Sequence, residues 1–124
     1  MIPEAVLQLI RSSIKSAWAL ELLLFMRRHV ARAWTVPELT AELRSSPALV
    51  AGILVTLTRT GLTKEEAEGL YRYAPETPTL DDTVRQLDEI NAERPLALIK
   101  EIISAPNDKL TSFVDAFKLR RDKE

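Results

Sequence analysis

The chain contains no cysteine, one histidine and three glycines among 124 residues. Without cysteine there are no disulfides and no thiolate metal ligands, a composition compatible with a reducing cytoplasm. The scarcity of glycine leaves no loop of the kind that cradles phosphates. General acid–base or metal chemistry needs several convergent polar groups, and one histidine does not supply them. Neither a catalytic set, nor a metal site, nor a cofactor signature is expected. Long apolar runs are missing too. The most apolar stretch, Ala17 to Met26, is interrupted by Glu21 and has about half the ~20 residues needed to cross a bilayer. The opening MIPEAVLQLIR has neither the basic start nor the cleavage site of a secretory signal. A cytoplasmic protein without a membrane partner is the expectation.

What is present suits a single folded domain. Hydrophobic residues make up 46% and charged residues 28%, too apolar for a disordered chain and long enough to bury a core unaided. The net charge of −1 is a poor start for binding a polyanion, but it is unevenly spread. Residues 1–60 carry seven basic and four acidic side chains, and the remainder ten basic and fourteen acidic. This leaves room for a modest basic face, with ordinary solvated surface as the alternative.

Helix signals recur along the chain. Pro3 suits a first helical turn, and Val6, Leu7, Leu9 and Ile10 give a short opening helix its apolar stripe. Ser12 or Ser13 is expected to cap a second helix, with Ile14, Trp18, Leu22 and Phe25 on one face and Trp18 in the core. This helix should end near Arg27, Arg28 and His29, where positive charge complements its dipole. His29 there reads as solvated, the alternative being a pH-sensitive or ligand-contacting group. Trp34 stands where a hydrophobic staple would pack it on Leu39, with a small-molecule pocket as the alternative.

Thr35, Val36, Pro37 and Glu38 form a capping box with proline at the first helical position, opening a short helix that ends at Leu43 or Arg44. Ser45 or Ser46 caps the next, Pro47 starts it, and Leu49, Val50, Ile53, Leu54 and Leu57 repeat at helical spacing until Gly61. Two short helices joined so briefly are the helix-turn-helix pattern. The period then changes. Leu62–Glu65 and Leu70–Tyr73 are β-compatible runs around Ala67-Glu68-Gly69, a hairpin with Gly69 in its turn; a stray helical turn over Lys64–Gly69 is the alternative. One of Tyr71 and Tyr73 should pack on the preceding helix. Ala74–Pro78 reads as a stiff linker. Beyond it, Thr79 or Asp81 caps a helix with Val84, Leu87 and Ile90, Pro95 opens another, and Pro106-Asn107-Asp108 caps a last one with Leu110, Phe113, Val114 and Phe117. The acid pairs Asp81-Asp82 and Asp88-Glu89 carry no metal expectation.

The fold expected is mainly α with a small β-hairpin. It divides into residues 1–78 and a helical extension, residues 79–124, that completes the core or forms a dimer interface. In the order of its parts, the chain over residues 14–73 resembles the winged helix-turn-helix regulators of bacteria, in general organisation those of the MarR type, in which terminal helices pair two subunits. The likeness rests on the Thr35–Glu38 box, the Ser46-Pro47 helix start, the Thr60-Gly61-Leu62 exit and the Tyr71–Tyr73 return strand. It implies a homodimeric, DNA-binding transcriptional regulator, with contacts from Arg44, Ser45, Ser46, Thr58, Arg59, Lys64 and Arg72. Direct base reading favours Arg, Lys, Asn and Gln, whereas the outward face of the second helix holds Ala48, Ala51, Gly52 and Val55. Those small residues favour the alternative: a module of the same shape that docks another regulatory protein.

Overall fold

In a computed structural model, described for residues 2–104, the chain runs α1 (Glu4–Ser13), α2 (Ala17–Arg28), α3 (Val36–Leu43), α4 (Pro47–Arg59), β1 (Thr63–Ala67), β2 (Leu70–Tyr73), α5 (Pro78–Glu93) and α6 (Pro95–Ser104). The expected mainly helical fold with one antiparallel hairpin is what these residues form. The helix expected over Leu110–Phe117 lies outside the described residues.

The caps decide the helix starts, and two differ from the sequence reading. Ser13 is the last residue of α1 and does not cap α2; its hydroxyl donates to Thr60 Oγ1 at 2.9 Å. Ser16 caps α2 instead, accepting from the Ala19 N–H at 3.1 Å. A tertiary partner 47 residues away holds Ser13 in α1, and no local pattern reveals it. With α2 starting at Ala17, its buried positions become Ala19, Leu20, Leu22, Leu23, Leu24 and Met26. Trp18 consequently leaves the core and is 38% exposed. Likewise α5 is capped by Thr77, whose hydroxyl accepts from the Leu80 N–H at 3.1 Å, and not by Thr79 or Asp81. Pro78 therefore opens the helix and does not end a linker, since its missing N–H is one the first turn leaves unpaired anyway.

Around α3 and α4 the local signals hold. Glu38 Oε1 accepts the Thr35 N–H at 2.9 Å while Thr35 Oγ1 accepts the Glu38 N–H at 3.2 Å, closing the box. Val36 takes the first helical position and Pro37 the second, one later than the sequence reading placed the proline. Arg44 ends α3 in the left-handed region at φ 54°, among the described residues the one non-glycine there. At the end of α4, Gly61 adopts φ +83°, and the Leu62 N–H reaches the Leu57 carbonyl at 2.9 Å, as a Schellman ending requires.

The hairpin pairs Thr63 with Tyr73, Lys64 with Arg72, Glu65 with Tyr71 and Ala67 with Leu70, so Glu66 is a bulge and Gly69 supplies the positive φ of the turn. Trp34 adds a single bridge to the free edge of β2, exchanging backbone hydrogen bonds with Tyr71 at 2.7 and 2.8 Å. Its indole is buried beside Phe25, edge-on at 5.0 Å between centroids, with Arg32 stacked at 3.8 Å. The exposed His29 ring lies on this cluster, 4.4 Å from Phe25.

One apolar cluster joins these elements. Val6, Leu9 and Ile10 of α1, the leucines of α2, Leu39, Val50, Leu54, Leu57, Leu62, then Val84, Leu87 and Ile90 of α5 and Leu98 and Ile102 of α6 all belong to it. Each fully buried Leu or Ile contributes roughly 2 kcal/mol by removal from water. Helices α5 and α6 therefore share the core of the first 78 residues. Among the described residues no helix is long and apolar enough to cross a membrane.

Candidate nucleic-acid interface

Helix α4 turns Val50, Leu54 and Leu57 inward, all fully buried, and leaves Ala48, Ala51, Gly52, Val55 and Arg59 exposed. These inward positions recur at i, i+4 and i+7, so the opposite face is fixed by helix periodicity. Two features differ from the sequence reading. Leu49 is 37% exposed and joins the outer face, while Ile53 is half-buried. Gly52 has open space where a side chain would stand.

The seven polar residues expected to meet DNA divide into three groups. Ser46, Thr58 and Arg72 are engaged within the fold. Ser46 Oγ accepts the Leu49 N–H as the α4 cap at 3.3 Å. Thr58 Oγ1 lies 2.9 Å from Thr63 Oγ1, tying α4 to β1. Arg72 places Nε 2.7 Å from Glu66 Oε1 and donates from Nη1 to the Val30 and Ala31 carbonyls at 3.2 Å each, holding the loop after α2 against the hairpin. Arg44, Arg59 and Lys64, in contrast, are exposed and form no ion pair among the described residues. Ser45, half-buried in the turn between α3 and α4, has a buried hydroxyl oxygen with no hydrogen-bond partner.

Five other arginines among the described residues are ion-paired. Arg27 lies 3.3 Å from Asp81 and 3.9 Å from Asp88, and Arg28 lies 2.8 Å from Asp88. Arg32 pairs with Glu38 at 2.6 Å, Arg11 with Glu4, and Arg85 with Asp82 and Glu89. The positive excess of residues 1–60 is thus partly cancelled by α5 and does not form a general basic face. The acids Asp81 and Asp88, which carried no metal expectation from sequence, are the α5 partners that cancel it.

Two ionisations follow from these contacts. The Glu38 carboxyl is held below its ordinary value, first by the Thr35 backbone N–H and then by Arg32. Tyr73, buried at the end of β2, donates to Asp81 Oδ1 at 2.5 Å, and its phenol is pushed up by burial first and by Asp81 second. Tyr73 thereby pins the hairpin to α5.

One signal was legible in the sequence and is given meaning by the geometry. From Leu43 to Lys64 there is no acidic residue, and the three cations of that stretch are Arg44, Arg59 and Lys64. Acids resume in the hairpin with Glu65, whose carboxylate accepts the Gly69 N–H at 2.9 Å, and with the exposed Glu66 and Glu68. The stretch from the α3–α4 turn to the base of β1 therefore contributes no acidic side chain of its own, with small residues on the outer face of α4 and cations at either end, and Glu76 lies against Gly61 near its close. No protein-family model, curated protein or solved structure matches the chain.

Proposed function

We propose that the chain is a winged helix-turn-helix regulator that holds DNA through α4, the preceding turn and the base of the hairpin. The order of elements and the Trp34 bridge supporting the hairpin favour the winged-helix reading. The observation that carries the function is that Arg44, Arg59 and Lys64 are exposed and form no ion pair among the described residues, on a stretch with no acid of its own, while Arg11, Arg27, Arg28 and Arg85 are ion-paired.

In this reading α4 enters the major groove with the small side chains of Ala48, Ala51 and Gly52 at its centre, so the helix approaches the bases closely. Contacts there are apolar, to thymine methyl groups, with Arg59 as the one side chain suited to bidentate bonding with a base edge. Arg44 and Lys64 neutralise phosphates on either side, which fixes register and carries little sequence information. Binding is therefore electrostatic and weakly selective. The exposed Leu96 and Ile103 on α6, 78% and 73% accessible, support pairing of two copies through the C-terminal helices.

The test is retention of the protein's own promoter DNA at several salt concentrations. With about three phosphates neutralised per subunit, the slope of log K against log salt is about −3 per subunit. Arg59→Ala with Lys64→Ala should flatten it by roughly two. A slope unchanged by that pair of substitutions would overturn the reading.

A second reading has its own observation. Leu49 and Val55 are 37% and 62% exposed beside Ala51 and Gly52, an apolar strip on which a helix of another regulatory protein would pack. Salt-insensitive capture of one protein, lost in Gly52→Trp and retained in the Arg59/Lys64 double variant, would favour it.

A further inference from the structure

A cleft of about 500 Å³ opens between α1, the C-terminal end of α4 and the first turns of α5. It takes no part in the DNA contacts proposed above, and its chemistry is one-sided. Six of its lining residues carry hydroxyls, and four of these, Ser12, Ser13, Thr60 and Thr83, have their hydrogens committed inside the chain. Thr60 donates to the Thr56 carbonyl at 2.9 Å and Thr83 to the Thr79 carbonyl at 3.1 Å. Ser13 donates to Thr60 at 2.9 Å, and Ser12 to the Leu9 carbonyl at 3.3 Å. Thr77 Oγ1 accepts the Leu80 N–H. A hydroxyl that has spent its hydrogen can still offer lone pairs. The wall is consequently rich in acceptors.

A single ionisable side chain, Glu76, lines this cleft. Among the described residues its carboxylate has neither a hydrogen bond nor an ion pair. It is nevertheless positioned: the Glu76 N–H donates to the Gly61 carbonyl at 2.9 Å, and its side chain lies against Gly61, where an added Cβ would come within 2.6 Å of Glu76 Cδ. Leu9 and Leu80 add apolar surface. Acceptors around an uncompensated carboxylate, beside an apolar patch, match a ligand that has N–H donors, positive charge and a short carbon chain. The Glu76 carboxylate would repel an anion.

We propose that this cleft binds a small organic ammonium, which donates to Glu76 and the threonine and serine oxygens while its methylenes lie on Leu9 and Leu80. Thr60 ends α4 one residue beyond Arg59, so the bound ligand braces the end of the helix that carries that arginine. The binding goes beyond the DNA reading and does not depend on it.

Putrescine titrated into the full chain, followed by backbone amide chemical shifts, tests the site without DNA. Butanediol and succinate serve as neutral and anionic counterparts of similar length. Saturable shifts at Gln8, Thr60 and Thr77 are expected with putrescine, weaker by about tenfold or more with butanediol, which corresponds to about 1.4 kcal/mol. Succinate should produce none. Glu76→Gln should lower putrescine affinity by about tenfold, whereas Glu101→Gln, a change of an exposed acid on α6, should leave it unaltered. Glu76 is exposed, so the variant should keep the native amide spectrum elsewhere. Unsaturable shifts spread over all the acidic residues, equal binding of the diol, or undiminished binding by Glu76→Gln would each overturn the proposal. Because no DNA is present, such a result leaves the DNA reading standing.

Discussion

Helices α2 and α4 have 12 and 13 residues, are both rich in leucine and both end on arginine, yet the fold treats them in opposite ways. Helix α2 is buried over most of its circumference, with Ala19, Leu20, Leu22, Leu23, Leu24 and Met26 inside, and its terminal Arg27 and Arg28 are neutralised by Asp81 and Asp88 of α5. Helix α4 buries one stripe, leaves Leu49 and Val55 in solvent, and ends on an unpaired Arg59. Apolar composition thus does not predict enclosure, and a basic helix end does not predict a free charge. What separates the two is whether another element packs across the second face.

The strongest way to break this comparison is through packing. Leu54→Ala, on the buried stripe of α4, should cost about 2–5 kcal/mol in denaturant unfolding. Val55→Ala, the next residue, should change stability by less than about 0.5 kcal/mol. Comparable losses at both positions would show that the outer face of α4 is covered.

The arginines provide the second contrast. Arg27→Ala removes a half-buried guanidinium from two carboxylates and should destabilise by about 1–2 kcal/mol. Arg59→Ala should leave unfolding within about 0.5 kcal/mol of the parent chain while weakening DNA retention. If Arg59→Ala instead lowers stability and spares DNA binding, the two roles have been assigned the wrong way round.

Smaller effects test the local devices that place α3 and the hairpin. Thr35→Ala deletes the oxygen that accepts the Glu38 N–H and should cost about 1 kcal/mol, read from the unfolding midpoint. The lowered Glu38 carboxyl makes its contribution complete above its ordinary value of 4.5. That contribution is lost as pH falls through the lowered value in the folded state.

Tyr73→Phe should cost about 1 kcal/mol near neutral pH, through the hydrogen bond to Asp81. The sign at high pH is opposite to that of Glu38. Tyr73 is held protonated in the folded chain, so its contribution is full below the ordinary phenol value of 10 and falls as pH rises from there through the folded value. Unfolding curves across that range should be less steep in pH for Tyr73→Phe than for the parent. Equal pH dependence would mean that the phenol titrates normally and that its link to α5 is broken in solution.

Much of the fold was legible because its signals are local. The capping box at Thr35, the Ser46-Pro47 start, Gly61 and Gly69 each act on backbone groups within a few residues, so sequence order alone exposes them. The starts of α2 and α5 were misplaced because several Ser and Thr residues stand near each, and local chemistry does not rank them. Trp18 was read as core because Ile14 was taken to share its helix face, whereas Ile14 follows α1 and lies before the start of α2. At the candidate site, the outward residues of α4 and the capping role of Ser46 followed from local pattern, but the engagement of Thr58 and Arg72 did not.

The sequence by itself determined the helical content, the hairpin, the turn glycines and the stretch without acids from Leu43 to Lys64, because these depend on intrinsic backbone preferences and on charge order. Only the tertiary structure decided which cations remain unpaired, that Ser13 meets Thr60, that Tyr73 is tied to Asp81, and that Glu76 lines a cleft with the hydroxyls of α1 and α5. Ion pairing, desolvation and the direction of a hydroxyl hydrogen depend on groups brought together from distant parts of the chain, and their partners exist only once the core has closed.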